Sequence, residues 1–468
     1  MVFSSITFLI YFLPITVTLY FFVPGKYQNL VLVLCSMFFY DWGEPRYVLL
    51  MIAGILTAYG CGRLMELYKT RKGRMIWYVC SVCVSLFALL FFKYADFILE
   101  NLNRFFGLDM PLLHVSLPVG ISFYTFQIIS YLTDVYRGAP AEKNMLHLAV
   151  YICMFPQLIA GPIVRYEDLA HQIRMDGAYG AGRRTSFEKA AYGIRRFVTG
   201  LAKKVLLADQ LGQLCQIFRL SEDKSVLFYW IYAVSCSLYI YFDFSGYSDM
   251  AVGLGSIFGF RFPENFNYPF ISTSITEFWR RWHMSLGSWF RDYVYIPLGG
   301  SRKGRRRQIV CIFIVWILTG LWHGAEWNFV LWGLYFAILL CIEKVFIKKR
   351  TVFSRLYFLF LISISFVVFH AENVSQVAAD LRGLTGAGGI APVSGEALYY
   401  LRSYALTLAA AILGATPFFR YVSGRMQGCL TGRRTAGLLE PIWLSALMIV
   451  ISAYLVDHTF QPFLYFRF

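Results

Sequence analysis

Apolar stretches long enough to cross a bilayer recur from one end of this chain to the other, and nothing else in the sequence limits the fold as strongly. About 20 apolar residues in a helix cover a hydrocarbon core of about 30 Å. Candidate spans lie at roughly 3–23, 28–41, 47–62, 76–98, 116–137, 192–215, 226–256, 309–325, 327–346, 353–370, 399–418 and 441–457. Twelve spans need roughly 240 residues, about half of the 468 present. Composition agrees: 58% of residues are hydrophobic and 15% charged, where soluble domains run near 25% charged. The pattern therefore predicts an all-α, polytopic integral membrane protein with about 11–13 transmembrane helices plus re-entrant or interfacial ones. The stretch near 147–164, broken by Pro156, Gly161 and Pro162, reads as re-entrant or as a tilted half-span. The first run begins at Phe3 without a basic flank, so it reads as a retained span rather than a cleaved signal.

The charge balance is 43 basic against 27 acidic residues, a net +16. On a soluble chain that excess suggests nucleic acid. Here its placement decides. The clusters are Lys69–Arg74, Arg183–Arg184, Arg195–Arg196, Lys203–Lys204, Arg302–Arg307, Lys348–Arg350 and Arg433–Arg434. With the N-terminus outside, the gaps 63–75, 138–191, 257–308, 347–352 and 419–440 fall inside and hold most of them. The outer gaps 99–115, 216–225 and 371–398 are sparse in charge. The chain obeys the positive-inside rule, both termini are expected outside, and no nucleic acid is needed to explain the charge. Most of the ten cysteines sit in apolar runs. Cys80 and Cys83 form a C-x-x-C, but no second pair follows and Val82, Val84 and Leu86 flank them. They read as small residues packing between helices. No His, Cys and acidic spacing fits a metal site, and no metal is expected. No fixed-period repeat is present, and the Gly-rich stretch 383–395 reads as an exposed loop.

Ionisable groups inside apolar runs are costly and usually functional. Three regions carry them. In Tyr241-Phe-Asp-Phe-Ser-Gly-Tyr-Ser-Asp-Met, Asp243 and Asp249 interrupt a long apolar run. Ser245 and Asp249 are four apart and share a helix face. They line a pocket or make helix-packing hydrogen bonds; both readings stay open, as they do for Tyr131 and Asp134. In the second region, Ile275, Phe278, Trp279, Trp282, Leu286, Trp289 and Phe290 recur at helical spacing. The spacing predicts one amphipathic helix at the cytoplasmic interface, with Arg280 and Arg291 opposite the stripe and His283 at its edge. An interfacial anchor without chemistry is the competing reading. The third region is Gly320-Leu-Trp-His-Gly-Ala-Glu-Trp-Asn. From Ile309 to Trp322 there are 14 residues without charge, about 21 Å of helix, so His323 is expected deep in the membrane. Gly320 and Gly324 beside it let another backbone, or a substrate, come close. A neutral imidazole there is either a general base or a satisfied core residue.

Taken together these segments resemble the membrane-bound O-acyltransferase family, most closely its bacterial polysaccharide branch, that of the alginate O-acetyltransferase membrane subunit. The matching stretches are Phe278-Trp-Arg-Arg-Trp-His-Met-Ser-Leu, Phe290-Arg-Asp-Tyr-Val-Tyr-Ile-Pro-Leu-Gly-Gly, Leu321-Trp-His-Gly, Pro156-Gln-Leu-Ile-Ala-Gly-Pro-Ile-Val-Arg-Tyr and the Tyr241–Met250 stretch. The opening Val2-Phe3-Ser4-Ser5 and closing Phe463-Leu-Tyr-Phe-Arg-Phe resemble the branch too. By motif, His323 corresponds to the family's near-invariant membrane histidine and His283 to its second, more variable one. The teichoic-acid D-alanyl branch shares both histidines but usually lacks the Pro-Leu-Gly-Gly found here at 297–300.

The resemblance implies one transmembrane domain over 1–468 around a central catalytic tunnel. Residues 1–110 would be peripheral helices, 115–346 the catalytic core and 350–468 the C-terminal helices. It implies an acyl group, acetyl above all, moved from a cytoplasmic thioester such as acetyl-CoA to an extracytoplasmic polysaccharide. The setting would be the bacterial inner or plasma membrane, with membrane lipid, an extracytoplasmic acetyltransferase as partner and no resident cofactor. His323 would take the proton of the attacking hydroxyl, and His283 would position or polarise the thioester. Trp279, Arg280, Arg281, Trp282, Asp243, Ser245, Asp249, Trp322 and Asn328 would line the pocket. Tryptophan N–H groups or backbone amides would stabilise the oxyanion. Arg280, Arg281 and the Arg302–Arg307 cluster would attract a phosphorylated donor, although for that cluster a topological role competes. A D-alanyl transferase keeps the same histidines with another donor. A lipid-linked sugar transporter would show two related halves with paired broken helices, and no such symmetry is visible.

Overall fold

Helices are the only regular structure among the residues that the computed structural model describes, namely 2–68, 70–159, 161–174, 183, 185–346, 352–429 and 433–457. Lys69, Arg184, the Lys348–Arg350 cluster, the closing Phe463–Phe468 stretch and the side chains of Arg433 and Arg434 lie outside the described residues. Among the described residues, five helices are long and apolar enough to cross a membrane alone: Val48–Leu67, Arg71–Phe106, Val226–Ile257, Trp327–Lys344 and Leu439–Val456. A pair bent by 58°, Gly395–Ser403 with Ala405–Gly414, brings the number to six at most. Phe8–Phe22 and Ser354–His370 are apolar but shorter. The chain is an all-α, multi-pass membrane protein, and only part of its twelve apolar runs forms straight spans by length and composition.

Local sequence explains where the expected boundaries move. The run at 76–98 grows into the 36-residue helix Arg71–Phe106, about 54 Å at 1.5 Å per residue. Thr70 caps it by accepting from the Gly73 amide, and Gly107, left-handed at φ 63°, ends it. Only 11% of its apolar window is covered by protein, against 78% for Val226–Ile257. Cys80 and Cys83 stand exposed on this bare helix; they face outward rather than packing between helices. The first run opens with a π-turn, Phe8–Phe12, ahead of Leu13–Phe22. Pro14 lacks an N–H to donate, and a π-turn accommodates it. The run at 192–215 is longer than its apolar stretch: Phe187–Ala202, a π-turn at Lys203–Ala208, then Asp209–Leu220.

The chain divides into two compact units, Met1–Phe197 with Met250–Pro263, and Val198–Asp249 with Glu264–Phe468. In the first, Phe3, Phe8, Phe12, Phe39 and Phe155 form an aromatic core, with Phe12 edge-on to Phe155 at 5.2 Å. The expected broken segment is two short buried helices, Met145–Cys153 and Phe155–Leu158. Tyr131 accepts from the Glu142 amide, and Glu142 binds Tyr166 and Arg174. Burial opposes ionisation of Glu142, but hydrogen bonds from His147, Tyr166, the Asn144 amide and Arg174 outweigh it and hold the carboxyl well below its ordinary range. Tyr131 thus takes part in helix packing.

In the second unit, Arg305–His323 and Trp327–Phe346 form a close hairpin. A Cβ on Gly320 would lie 2.2 Å from the Phe329 carbonyl oxygen, and one on Gly333 2.3 Å from that of Trp316. The glycine beside His323 therefore admits another backbone. The Lys203–Ala208 π-turn places two lysines against Val226–Ile257. Lys204 Nζ lies 2.6 Å from Asp243 and 2.7 Å from Asp209, and Lys203 Nζ lies 2.6 Å from Asp249.

Candidate active site

The segment around His283 is not one helix. Ser274 caps Ile275–Trp279 by accepting from the Glu277 amide at 3.1 Å. Glu277 reaches back to the Thr273 amide and hydroxyl at 3.1 and 3.0 Å. Together these bonds, to the cap and to the residue before it, fix where the helix begins. Burial opposes ionisation of Glu277, but the Thr273 and Arg281 hydrogen bonds outweigh it and lower its pKa. After five residues the chain turns, and His283 adopts the left-handed conformation at φ 43° and ψ 52° before Met284–Phe290 resumes. A continuous stripe with His283 at its edge is thereby corrected. The apolar spacing survived the break because both short helices bury the same kinds of side chain.

Left-handed backbone is uncommon for a residue with a Cβ and points to an over-determined site. Four contacts to Asn265 hold it. The Met284 amide donates to the Asn265 carbonyl at 3.0 Å. The Ser285 amide and hydroxyl donate to Asn265 Oδ1 at 3.2 and 2.9 Å. His283 Nδ1 lies 3.2 Å from the same oxygen. Its Nε2 is buried with no hydrogen-bond partner among the described residues. Phe244 meets the imidazole edge-on at 4.6 Å. Burial pushes the His283 pKa down to about 3, so the ring is neutral at ordinary pH.

His283 lines a cavity of about 630 Å³ shared with Trp279, Arg280, Trp316, Thr319 and Lys344. Arg291, paired with Asp292 at 2.7 Å, lines it too, so three cations border a largely apolar chamber that also carries Thr276, Ser288 and Thr319. The Trp279 indole N–H is buried and without a partner among the described residues. Buried donors without acceptors are uncommon and call for a reason.

His323 ends the Arg305–His323 helix and is 3% exposed. Trp332 and Phe369 meet its ring edge-on at 5.2 and 5.1 Å. Trp322 lies 5.9 Å from the His283 ring and 4.9 Å from that of His323. His323 does not line the 630 Å³ cavity.

Of the other expected pocket residues, Trp279 and Arg280 line the cavity and Trp322 adjoins both histidines. Arg281 instead pairs with Glu277 and the Asn267 carbonyl. Trp282 is buried below, stacked on Phe278 at 5.3 Å. Asn328 donates to the Ala371 carbonyl at 2.7 Å, joining two helix ends. Asp243 and Asp249 are held by the lysines already described, and neither they nor Ser245 reach the cavity. The Arg302–Arg307 cluster is exposed and does not line it either. Asn265, Thr319 and Lys344 escaped the sequence reading. Lys344 had a visible signal, a lone cation closing an apolar run; Asn265 had none.

An all-helical membrane protein with two buried histidines beside a cation-lined chamber has the makings of an acyl-transfer enzyme. Residues 63–371 match the membrane-bound O-acyltransferase (MBOAT) family. The chain belongs to that family, and it is an O-acyltransferase. It is 37% identical over 497 aligned positions to the probable alginate O-acetylase AlgI of Pseudomonas putida, covering all of both chains. It is 31% identical to the peptidoglycan O-acetyltransferase of Helicobacter pylori over 83% of this chain and 81% of that one. The teichoic acid D-alanyltransferase of Bacillus subtilis is more distant, 32% identical over 49% of this chain and 60% of its own length.

Proposed function

We propose that this enzyme moves an acetyl group from a cytoplasmic thioester toward an extracytoplasmic polysaccharide, in a bacterial inner or plasma membrane. The observation that carries the reading is the placement of His283 in a chamber with Arg280, Arg291 and Lys344. A thioester with a phosphorylated carrier, acetyl-CoA being the simplest, suits such a chamber: apolar walls for the acyl arm and cations for phosphate. Acetylation is favoured because the relatives that match over most of the chain are named for O-acetylation of alginate and peptidoglycan.

In this reading His283 engages the donor and His323 takes the proton of the acceptor hydroxyl. The acceptor oxygen bonds the acyl carbon, the C–S bond breaks, and the departing thiolate recovers a proton from the histidinium. Tryptophan N–H groups, that of Trp279 first, stabilise the oxyanion. A water-poor site limits wasteful hydrolysis. A separate extracytoplasmic acetyltransferase would complete delivery to the polymer.

D-alanyl transfer is the second reading, favoured by the likeness to the teichoic acid enzyme. Mass analysis of cell-wall and secreted polymers from a deletion strain separates the two. Loss of acetyl ester is the expected result; loss of D-alanine with acetyl ester intact would establish the alternative.

A further inference from the structure

The hydrogen bonds around Asn265 determine which nitrogen of His283 carries its proton. A backbone amide can only donate. The side-chain atom of Asn265 that meets the Ser285 amide at 3.2 Å is therefore its oxygen, and the Ser285 hydroxyl at 2.9 Å meets the same atom. His283 Nδ1 lies 3.2 Å from that oxygen and 3.5 Å from the Ser285 hydroxyl, whose single proton is directed to Asn265 by the shorter contact, so Nδ1 donates to the Asn265 oxygen. A neutral imidazole with a proton on Nδ1 has its lone pair on Nε2. That nitrogen is buried and has no hydrogen-bond partner among the described residues.

We propose that Asn265 is a positioning residue that locks His283 in the Nδ1–H tautomer and so reserves Nε2 for the acyl-transfer step. The inference rests on the reading that His283 acts on the donor, and it narrows what that histidine does. A lone-pair nitrogen accepts a proton or attacks a carbonyl carbon; it does not donate a hydrogen bond to the thioester oxygen. Polarisation of that oxygen falls to another donor, and the unpartnered Trp279 N–H lines the same cavity. The lock has the same logic as the partners that fix the tautomer of catalytic and metal-binding histidines.

Asn265 also makes a clean substitution possible. Its Nδ2 has no hydrogen-bond partner among the described residues, so Asn265→Asp keeps the accepting oxygen and loses no donated bond. A carboxylate at Nδ1–H favours the imidazolium and raises the His283 pKa. Asn265→Leu removes the acceptor altogether. The Met284 amide bonds the Asn265 backbone and is spared by both changes. The charged groups that share the cavity with His283 are Arg280, Arg291 and Lys344; Phe244 and Trp322, packed on the ring, carry none.

The test uses the full-length enzyme in membrane vesicles with acetyl-CoA as probe, following kcat, KM and the pH profile of donor turnover. Asn265→Leu is expected to lower kcat roughly 10–100-fold, the usual loss for an orienting partner, with KM little changed. Asn265→Asp is expected to retain turnover and move the acid limb of kcat/KM to higher pH. In a His283→Ala background, Asn265→Leu should add no further loss. Wild-type kcat in Asn265→Leu, or an acid limb unmoved in Asn265→Asp, overturns the proposal; if Asn265→Leu does not fold, the isosteric Asp variant decides alone. Full donor turnover in His283→Ala would instead remove the reading on which the proposal rests.

Discussion

The indole of Trp322 meets the imidazole of His283 with ring centroids 5.9 Å apart and planes at 62°. His323 follows Trp322 in the chain; its ring lies 4.9 Å from the same indole and packs against Trp332 and Phe369. The two histidines therefore have different surroundings, one a cation-lined chamber, the other an aromatic cage. Trp322→Ala should join them by a void, admit water and raise thioester hydrolysis relative to acyl transfer. Trp322→Phe should largely preserve the ratio. Release of free thiol against polymer-bound acetyl measures it.

Gly320 sits one turn before His323, where a Cβ would meet the Phe329 carbonyl oxygen at 2.2 Å. Backbone cannot yield as a side chain can. Gly320→Ala should destabilise the protein by about 1–3 kcal/mol, the range for overpacking, and reduce transfer by displacing His323. Thermal unfolding in detergent and acetyl transfer at equal protein level check both effects.

The ion pair of Lys204 with Asp243 is almost wholly buried, with side chains 3% and 1% exposed. Breaking such a pair leaves an uncompensated charge and costs about 3–5 kcal/mol, whereas replacing both partners by apolar groups is often neutral. Asp243→Leu should therefore lower the unfolding temperature, and adding Lys204→Met should recover most of the loss. Asp209, 2.7 Å from the same lysine, limits the recovery. Donor KM should change little in any variant that folds.

His283 carries a pH prediction. Burial depresses its pKa from the ordinary 6.5 to about 3. A depressed histidine stays neutral as pH falls through 6.5 and gains its proton only far lower. The donor step should thus show no loss near pH 6.5 arising from His283. The pH dependence of single-turnover thioester cleavage tests this, and a titration at 6.5 that vanishes in His283→Gln would count against it.

Much of this arrangement is written in hydropathy and local motifs. The helical class and the short broken segment near Pro156 follow from apolar periodicity, and the choice of His283 and His323 as candidates from the resemblance. What stayed hidden depends on contacts distant in sequence. Asp243 and Asp249 read equally as pocket or packing groups because their partners, Lys203 and Lys204, counted as a topological basic cluster. A π-turn, which periodicity does not reveal, swings both lysines inward. The break at His283 was masked by apolar spacing that continues across it. Asn265 lies in a loop, and only the fold brings its amide to the imidazole.

In the proposed mechanism His323 is the base that activates the acceptor hydroxyl. Mass analysis of the O-acetyl content of cell-surface polymers, in cells making wild type or His323→Ala at equal protein level, tests it most directly. Loss of the acetyl ester in the variant is the expected result; acetyl ester at the wild-type level would contradict that role.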